Sequence, residues 1–250
     1  MDDRGVSELV GYTIIFGVAL LTLSSVLLLG TSGLTDSRDV AQTTNAETAF
    51  EILAENIDDH ATDRAVGRAT EIRVADADLY FGAEENYTVT ADETMYRPVH
   101  TDPIVYELHS GERIVYSNGA LFRENSHGSR MISEPQFRIN ESRAMLHPIE
   151  IAGADRHLSV AGSRPVLIRT EQRTPRLYQN TTSESYELSI EITTDENRAG
   201  AWERYLNDES GDETFCSVDD LPDGNALVTC DGYETDEIHM PVTRLNAEFS

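Results

Sequence analysis

The chain has 250 residues and a formal net charge of -26, from 45 acidic residues against 19 basic ones, all of them Arg. With no Lys, a P-loop, a Schiff-base lysine and a protein-kinase phosphate lysine are excluded. The acids are spread along the chain, as in Asp58-Asp59, Glu84-Glu85, Asp219-Asp220 and Asp236-Glu237. No basic stripe is present to neutralise phosphates, so nucleic acid is not expected as a partner.

Residues Leu9 to Gly30 carry no charge, and 15 of these 22 are apolar. About 20 apolar residues cross a bilayer as a helix, and soluble helices are rarely apolar all round. The sequence therefore predicts a transmembrane helix within residues 6–35. An ordinary secretory signal has a shorter apolar stretch and a small-residue cleavage site after it. Here Gly30-Thr31-Ser32-Gly33 follows instead. Arg4 and Arg38 flank the span on opposite sides, so the positive-inside rule gives no orientation.

The start of the chain is more specific. Met1-Asp2-Asp3-Arg4-Gly5 is a short polar tail, followed by Val6-Ser7-Glu8 and then the apolar run. This resembles the signal of archaeal type IV pilins and archaellins. The resemblance implies cleavage by a prepilin peptidase after a small residue preceded by a basic one, here Arg4-Gly5 before Val6. It also implies a helix that is kept, first holding the subunit in the membrane and later packing in a filament core. Many haloarchaeal pilins have Ser-Pro after the cut, whereas this chain has Ser7-Glu8. Glu8 either pairs with a neighbour's N-terminal amine or sits at the headgroup boundary.

Beyond Gly33 the pattern becomes amphipathic. Ala46, Phe50, Leu53 and Ile57 fall at helical intervals, with Asp36 or Ser37 as a cap and Gly67 as a stop. Gly30-Thr31-Ser32-Gly33 is expected to kink or break the helix before it. From about residue 70 the pattern is strand after strand: Glu71–Phe81, Asn86–Thr90, Ile104–His109, Arg113–Ser117 and Ala120–Arg123, then Gln136–Asn140, Ala144–Ile151, Pro165–Arg173, Ser185–Thr194 and Ile238–Phe249. Asn118-Gly119 is a type I′ hairpin signal. The alternation in Glu187-Leu188-Ser189-Ile190-Glu191-Ile192 predicts one buried and one wet face. A short helix is expected over Ala199–Asn207, with Trp202 as its core anchor. The body, with its Ala-Trp-Glu-Arg-Tyr-Leu helix at 201–206, is similar to haloarchaeal pilin-like secreted proteins, a resemblance that implies no activity.

Cys216 and Cys230 are the only cysteines. In an exported segment they are best read as a disulfide; a metal pair would want nearby His. Three N-x-[ST] sequons, at Asn86, Asn140 and Asn180, are glycosylation candidates. The seven His residues are scattered, without H-E-x-x-H spacing, and are read as surface or strand-end residues. There is no G-x-S-x-G, no G-x-G-x-x-G and no EF-hand order among the acids of Asp219–Asp231. The chain is therefore not expected to be an enzyme, and no cofactor or metal is expected. The excess of acids without Lys resembles proteins of halophilic archaea. At molar salt the Debye length is about 3 Å, so carboxylates hydrate the surface with little mutual repulsion. A cation-binding surface is the other reading.

The expected fold class is α+β: a transmembrane and stalk helix followed by a mostly antiparallel β domain, sandwich-like or a curled sheet. The expected divisions are a leader at 1–5, the transmembrane helix at 6–35, a stalk at 36–67 and an extracellular head at 68–250. The expected function is a pilin-like subunit, minor by the size of its head, of an archaeal type IV pilus-like filament. Its partners would be a prepilin peptidase, other pilin-like subunits, a membrane platform with its secretion ATPase, and the lipid bilayer. The location would be the cell membrane, single-pass, with the N terminus cytoplasmic. The alternative is a membrane-anchored extracellular binding or adhesion protein that does not polymerise.

Overall fold

The computed structural model describes the backbone of residues 3–62, 65–92, 94–96 and 98–250. Side chains are described for these residues except 3–10, 27–39, 95 and 180–184. The chain divides into two compact units, Met1–Thr44 and Asn45–Ser250. The second unit thus takes in the last part of the helical segment together with the β strands.

In the first unit the helix α1 (Asp3–Thr62 in full) passes through Gly30-Thr31-Ser32-Gly33 without the expected break. The described part of its apolar surface covers residues 11–26. It is interrupted by Gly11, Thr13, Gly17, Thr22, Ser24 and Ser25. Thr22 Oγ1 and Ser25 Oγ donate back to the carbonyls of Ala19 (2.9 Å) and Leu21 (2.8 Å). Among the described residues no helix is long and apolar enough to cross a membrane. This overturns the expected transmembrane helix and, with it, the α+β class built on that helix and the single-pass placement with a cytoplasmic N terminus.

The second unit is mostly antiparallel β-sheet. Its strands are β1 (Gly67–Phe81), β2 (Glu85–Ala91), β3 (Thr94–Met95), β4 (Val99–Thr101), β5 (Ile104–Leu108), β6 (Arg113–Ser117), β7 (Ala120–Asn125), β8 (Gly128–Ser133), β9 (Arg138–Asn140), β10 (Arg143–Met145), β11 (Ile149–Gly153), β12 (Ser159–Gln172) and β13 (Arg176–Asp195). Helix α2 (Glu196–Ser210), β14 (Cys216–Asp220) and β15 (Asn225–Phe249) complete it. The main path runs β3-β2-β13-β15-β12-β1-β5-β6-β7-β8, and among the described residues only β10 and β11 pair with β15 in parallel.

Two cores fill this unit. In one, Ala46, Phe50, Leu53 and Ile57 of α1 pack on Ile72, Leu79, Ile104, Tyr106, Ile114 and Ile168, with Phe50 edge-on to Tyr106 at 6.2 Å. In the other, Trp202 and Tyr205 of α2 pack with Phe122, Phe137 and the inward residues of β2, β13 and β15. Trp202 is fully buried, as expected of a core anchor. Strands β5 to β7 lie between the cores. Val105, Val115 and Phe122 face the second core, while Ile104, Tyr106, Ile114 and Leu121 face the first. This two-sided burial accounts for their near-continuous apolar runs.

The long strand β15 feeds both cores. Its even residues Ala226, Val228, Cys230, Ile238, Met240 and Val242 are buried in the second core, and its odd residues Leu245, Ala247 and Phe249 in the first. The parity changes at Val242-Thr243, two consecutive buried residues, where the strand passes from one sheet to the other. In the β6–β7 turn Asn118 has φ 49° and Gly119 φ 83°, as a type I′ turn requires.

Candidate assembly site

The exposed part of α1 is the first candidate surface. Tyr12 is 77 % exposed, Phe16 60 % and Leu21 70 %, and Ile14, Ile15, Val18, Leu20, Leu23 and Val26 are exposed as well. At 100° per residue these side chains point in nearly every direction around the axis. Such a surface is stable in water only when other apolar surface covers it. The side chains of the processing residues Arg4, Gly5 and Val6, and of Glu8, lie outside the described residues.

Cys216 and Cys230 form a disulfide, with S–S 2.08 Å and Cα–Cα 4.0 Å. They are directly opposed in the β14–β15 ladder. The bond thus straps the hairpin whose turn is Leu221–Gly224, and the Leu221 N–H closes that turn on the Asn225 carbonyl at 2.8 Å. Sequence spacing suggested the bond, but the acidic loop-like composition on either side concealed the hairpin.

The sequons are in different settings. Asn86, on β2, is half-buried, and its Oδ1 pairs with His100 Nδ1. Asn140 is exposed, and its Oδ1 accepts from Ser142 N (3.1 Å), Ser142 Oγ (2.7 Å) and Arg143 N (3.0 Å). The Asn180 side chain is outside the described residues. The histidines are not all at the surface: His60 is fully buried, with Nδ1 2.6 Å from the Ala65 carbonyl and Nε2 2.8 Å from Thr170 Oγ1. It fastens the end of α1 to β12.

Sequence reasoning missed a buried charge cluster. Arg198 of α2 is 5 % exposed. Its Nη1 lies 2.7 Å from Glu124 Oε1 and its Nη2 2.7 Å from Glu85 Oε1. Glu85 also accepts from Thr194 Oγ1 at 2.7 Å and from Ser117 Oγ, and Glu124 Oε2 meets Arg113 Nη2 at 2.7 Å. Burial opposes the Arg198 charge, yet Glu85 and Glu124 outweigh it and hold the guanidinium firmly protonated. Burial raises the Glu124 carboxyl above its ordinary value, against the pull of Arg198 and Arg113. The cluster ties α2 to β2, β6 and β7. The Glu84-Glu85 pair, which reads as a solvated acidic step, is divided by strand geometry. Glu84 pairs with the half-exposed Arg156 at 2.7 Å, while Glu85 turns inward.

Residues of α2 and the β7–β8 hairpin line an open cleft of about 620 Å³. Arg130, Arg204, His127 and Asn197 are among its walls. Arg123 at its edge is already matched by Glu47 (3.0 Å) and Glu112 (2.8 Å). The cleft offers hydrogen-bond donors, and at its rim Ser126 Oγ lies 3.2 Å from His127 Nδ1.

The family of unknown function DUF7289 matches residues 4–248. The chain belongs to this family. Neither a curated protein nor a solved structure matches it. The DUF7289 match spans the exposed apolar helix and the whole β unit, so the two are features of one family pattern, and it assigns no activity.

Proposed function

We propose that this DUF7289 protein is a structural subunit, of the type IV pilin-like kind and a minor one by the size of its β unit, of a filament outside the cell. The observation that carries this reading is the apolar surface of α1 at residues 11–26, exposed on nearly all sides. A bundle of such helices from neighbouring copies covers that surface, and a repeated head-to-tail contact extends the bundle without limit. Arg4-Gly5 before Val6 supports processing by a prepilin-type peptidase, with other pilin-like subunits and a secretion ATPase as further partners. The Cys216–Cys230 bond supports an oxidising compartment. A second reading, an extracellular binding protein that stays monomeric, is favoured by the cleft beside α2.

Intact-mass measurement of the native protein tests the proposal. The expected mature chain begins at Val6, and Gly5→Trp leaves the precursor uncut. A mature chain beginning at Met1, Asp2 or beyond Thr31 overturns it. Sedimentation of the mature protein separates the two readings, because only the filament subunit self-associates.

A further inference from the structure

Three arginines converge on one carboxylate at the outer face of the sheet. Glu150 of β11 is 8 % exposed. Its Oε1 is 2.8 Å from Arg244 Nε and 3.2 Å from Arg173 Nη1, and its Oε2 is 3.3 Å from Arg176 Nη1. Glu171, on the same face opposite Asn246, makes no ion pair with them among the described residues. One carboxylate thus organises three guanidinium groups and leaves a surplus of two positive charges, in a chain whose net charge is -26. Each guanidinium has five donors in a planar fork. Beyond Glu150, the cluster's only side-chain hydrogen bond among the described residues runs from Arg244 Nη1 to the Thr174 carbonyl, at 3.4 Å.

The complementary surface lies at the other end of the same ribbon. The turn between β14 and β15 presents Asp219, Asp220 and Asp223, all exposed and in no ion pair among the described residues, with Leu221 exposed between them. The Cys216–Cys230 bond holds this turn on a fixed hairpin. Strands β13 and β15 connect the two places, with Asp195 opposite Asn225 at the acidic end and Arg176 opposite Val242 at the arginine end. The 17 steps from residue 225 to 242, at about 3.3 Å each, put them roughly 55 Å apart along the strand. The tip therefore cannot reach the arginines of its own chain.

We propose that the acidic tip Asp219–Asp223 of one copy docks on the Arg173, Arg176 and Arg244 cluster of the next. The carboxylates take up the open guanidinium forks. The two surfaces differ and lie at opposite ends of one molecule, so the contact is heterologous and repeats in a line. Molar salt screens the repulsion between acidic copies and also weakens this attraction, so the contact depends on contact-range hydrogen bonds between the carboxylates and the guanidinium groups. The proposal rests on the filament reading and adds to it a contact made by the β units.

Cross-linking of the full chain tests it, with Pro222→Cys at the tip and Thr174→Cys beside the arginines, joined by a short bifunctional maleimide in molar KCl. Mixing the two variants should give a linked dimer that neither gives alone, and the double variant should give a ladder. Arg176→Glu should lower linkage at least tenfold, and Asp220→Arg on the partner copy should restore it. Absence of linkage in a sample that sediments as an assembly overturns the tip contact and leaves the filament reading standing. Absence of both linkage and assembly overturns both. Sulfate that stabilises the unlinked chain against heat, with the effect lost in Arg176→Glu, identifies the cluster as a small-oxyanion site and also overturns the contact.

Discussion

Replacing Arg198 by Met keeps a long apolar stem in place and removes the charge at the centre of the buried cluster. Glu124 then still has Arg113 at 2.7 Å, but Glu85, 4 % exposed, retains only the hydroxyls of Thr194 and Ser117. Removing one partner of a buried pair costs about 3–5 kcal/mol, because the other charge is left without compensation. In a unit of this size 1 kcal/mol moves the melting temperature by about 2–4 °C, so Arg198→Met should lower it by roughly 10 °C. Adding Glu85→Gln to this variant removes the stranded charge and should recover at least half of the loss. The pH dependence has a fixed sign. The Glu124 carboxyl titrates above its ordinary value of 4.5, mainly through burial, so the folded protein takes up its proton before the unfolded chain does. Its contribution to stability therefore rises as pH falls through the folded value toward 4.5. Without Arg198 the raising effect of burial is less opposed, so the gap between variant and parent should narrow as pH falls from 7 to 5. Urea melts in molar KCl at the two pH values measure this. A loss below about 1 kcal/mol, or a gap that widens on acidification, refutes the account of the cluster.

Non-reducing peptide mapping should show Cys216 linked to Cys230, and Cys216→Ser with Cys230→Ser should lower stability by about 3 kcal/mol, the loop-closure value for a separation near 14 residues; two free thiols in the native protein contradict this. The chain should be folded in molar KCl and loosen as salt is withdrawn, because the Debye length grows from about 3 Å at 1 M to about 30 Å at 0.01 M. Mg²⁺ should restore folding at much lower concentration than KCl, and circular dichroism that stays flat from low to molar salt defeats the high-salt reading of the acids.

The legible parts of the fold were those where local pattern and burial agree. Phe50, Leu53 and Ile57 have helical spacing because one helix face meets one core, and Leu188, Ile190 and Ile192 alternate because one strand face does. Asn118-Gly119 announced its turn through backbone sterics alone. Strand β15 was legible only from Ile238 onward. Before that, Asp231-Gly232-Tyr233-Glu234-Thr235-Asp236-Glu237 has the composition of a loop, and a bulge with Gly232 at φ 83° interrupts the alternation. The candidate sites were harder to read. Nothing in Asn197-Arg198-Ala199 distinguishes a buried arginine from a solvated one, since its burial depends on Glu85 and Glu124 arriving from strands far away in sequence. The membrane-spanning reading failed for a related reason, because apolarity along a helix records a need for cover without naming what supplies it.

That distinction also orders the charges of the β unit. With no Lys, every cationic contact apart from histidine must be made by Arg, whose planar fork suits bidentate and shared pairing. Arg198 bridges two buried glutamates, Arg123 bridges Glu47 and Glu112, and Arg156 reaches from exposed Glu84 to the fully buried Asp102 at 2.8 Å. In each case one cation fixes two carboxylates on different elements, so arginines act as internal ties and the uncompensated acids fall to the surface. The Glu150 cluster inverts this rule, with one carboxylate fixing three arginines. In a chain where cations are scarce, a place that gathers three around a single acid has donors to spare, and the surface best supplied to fill them is the acidic exterior of another copy.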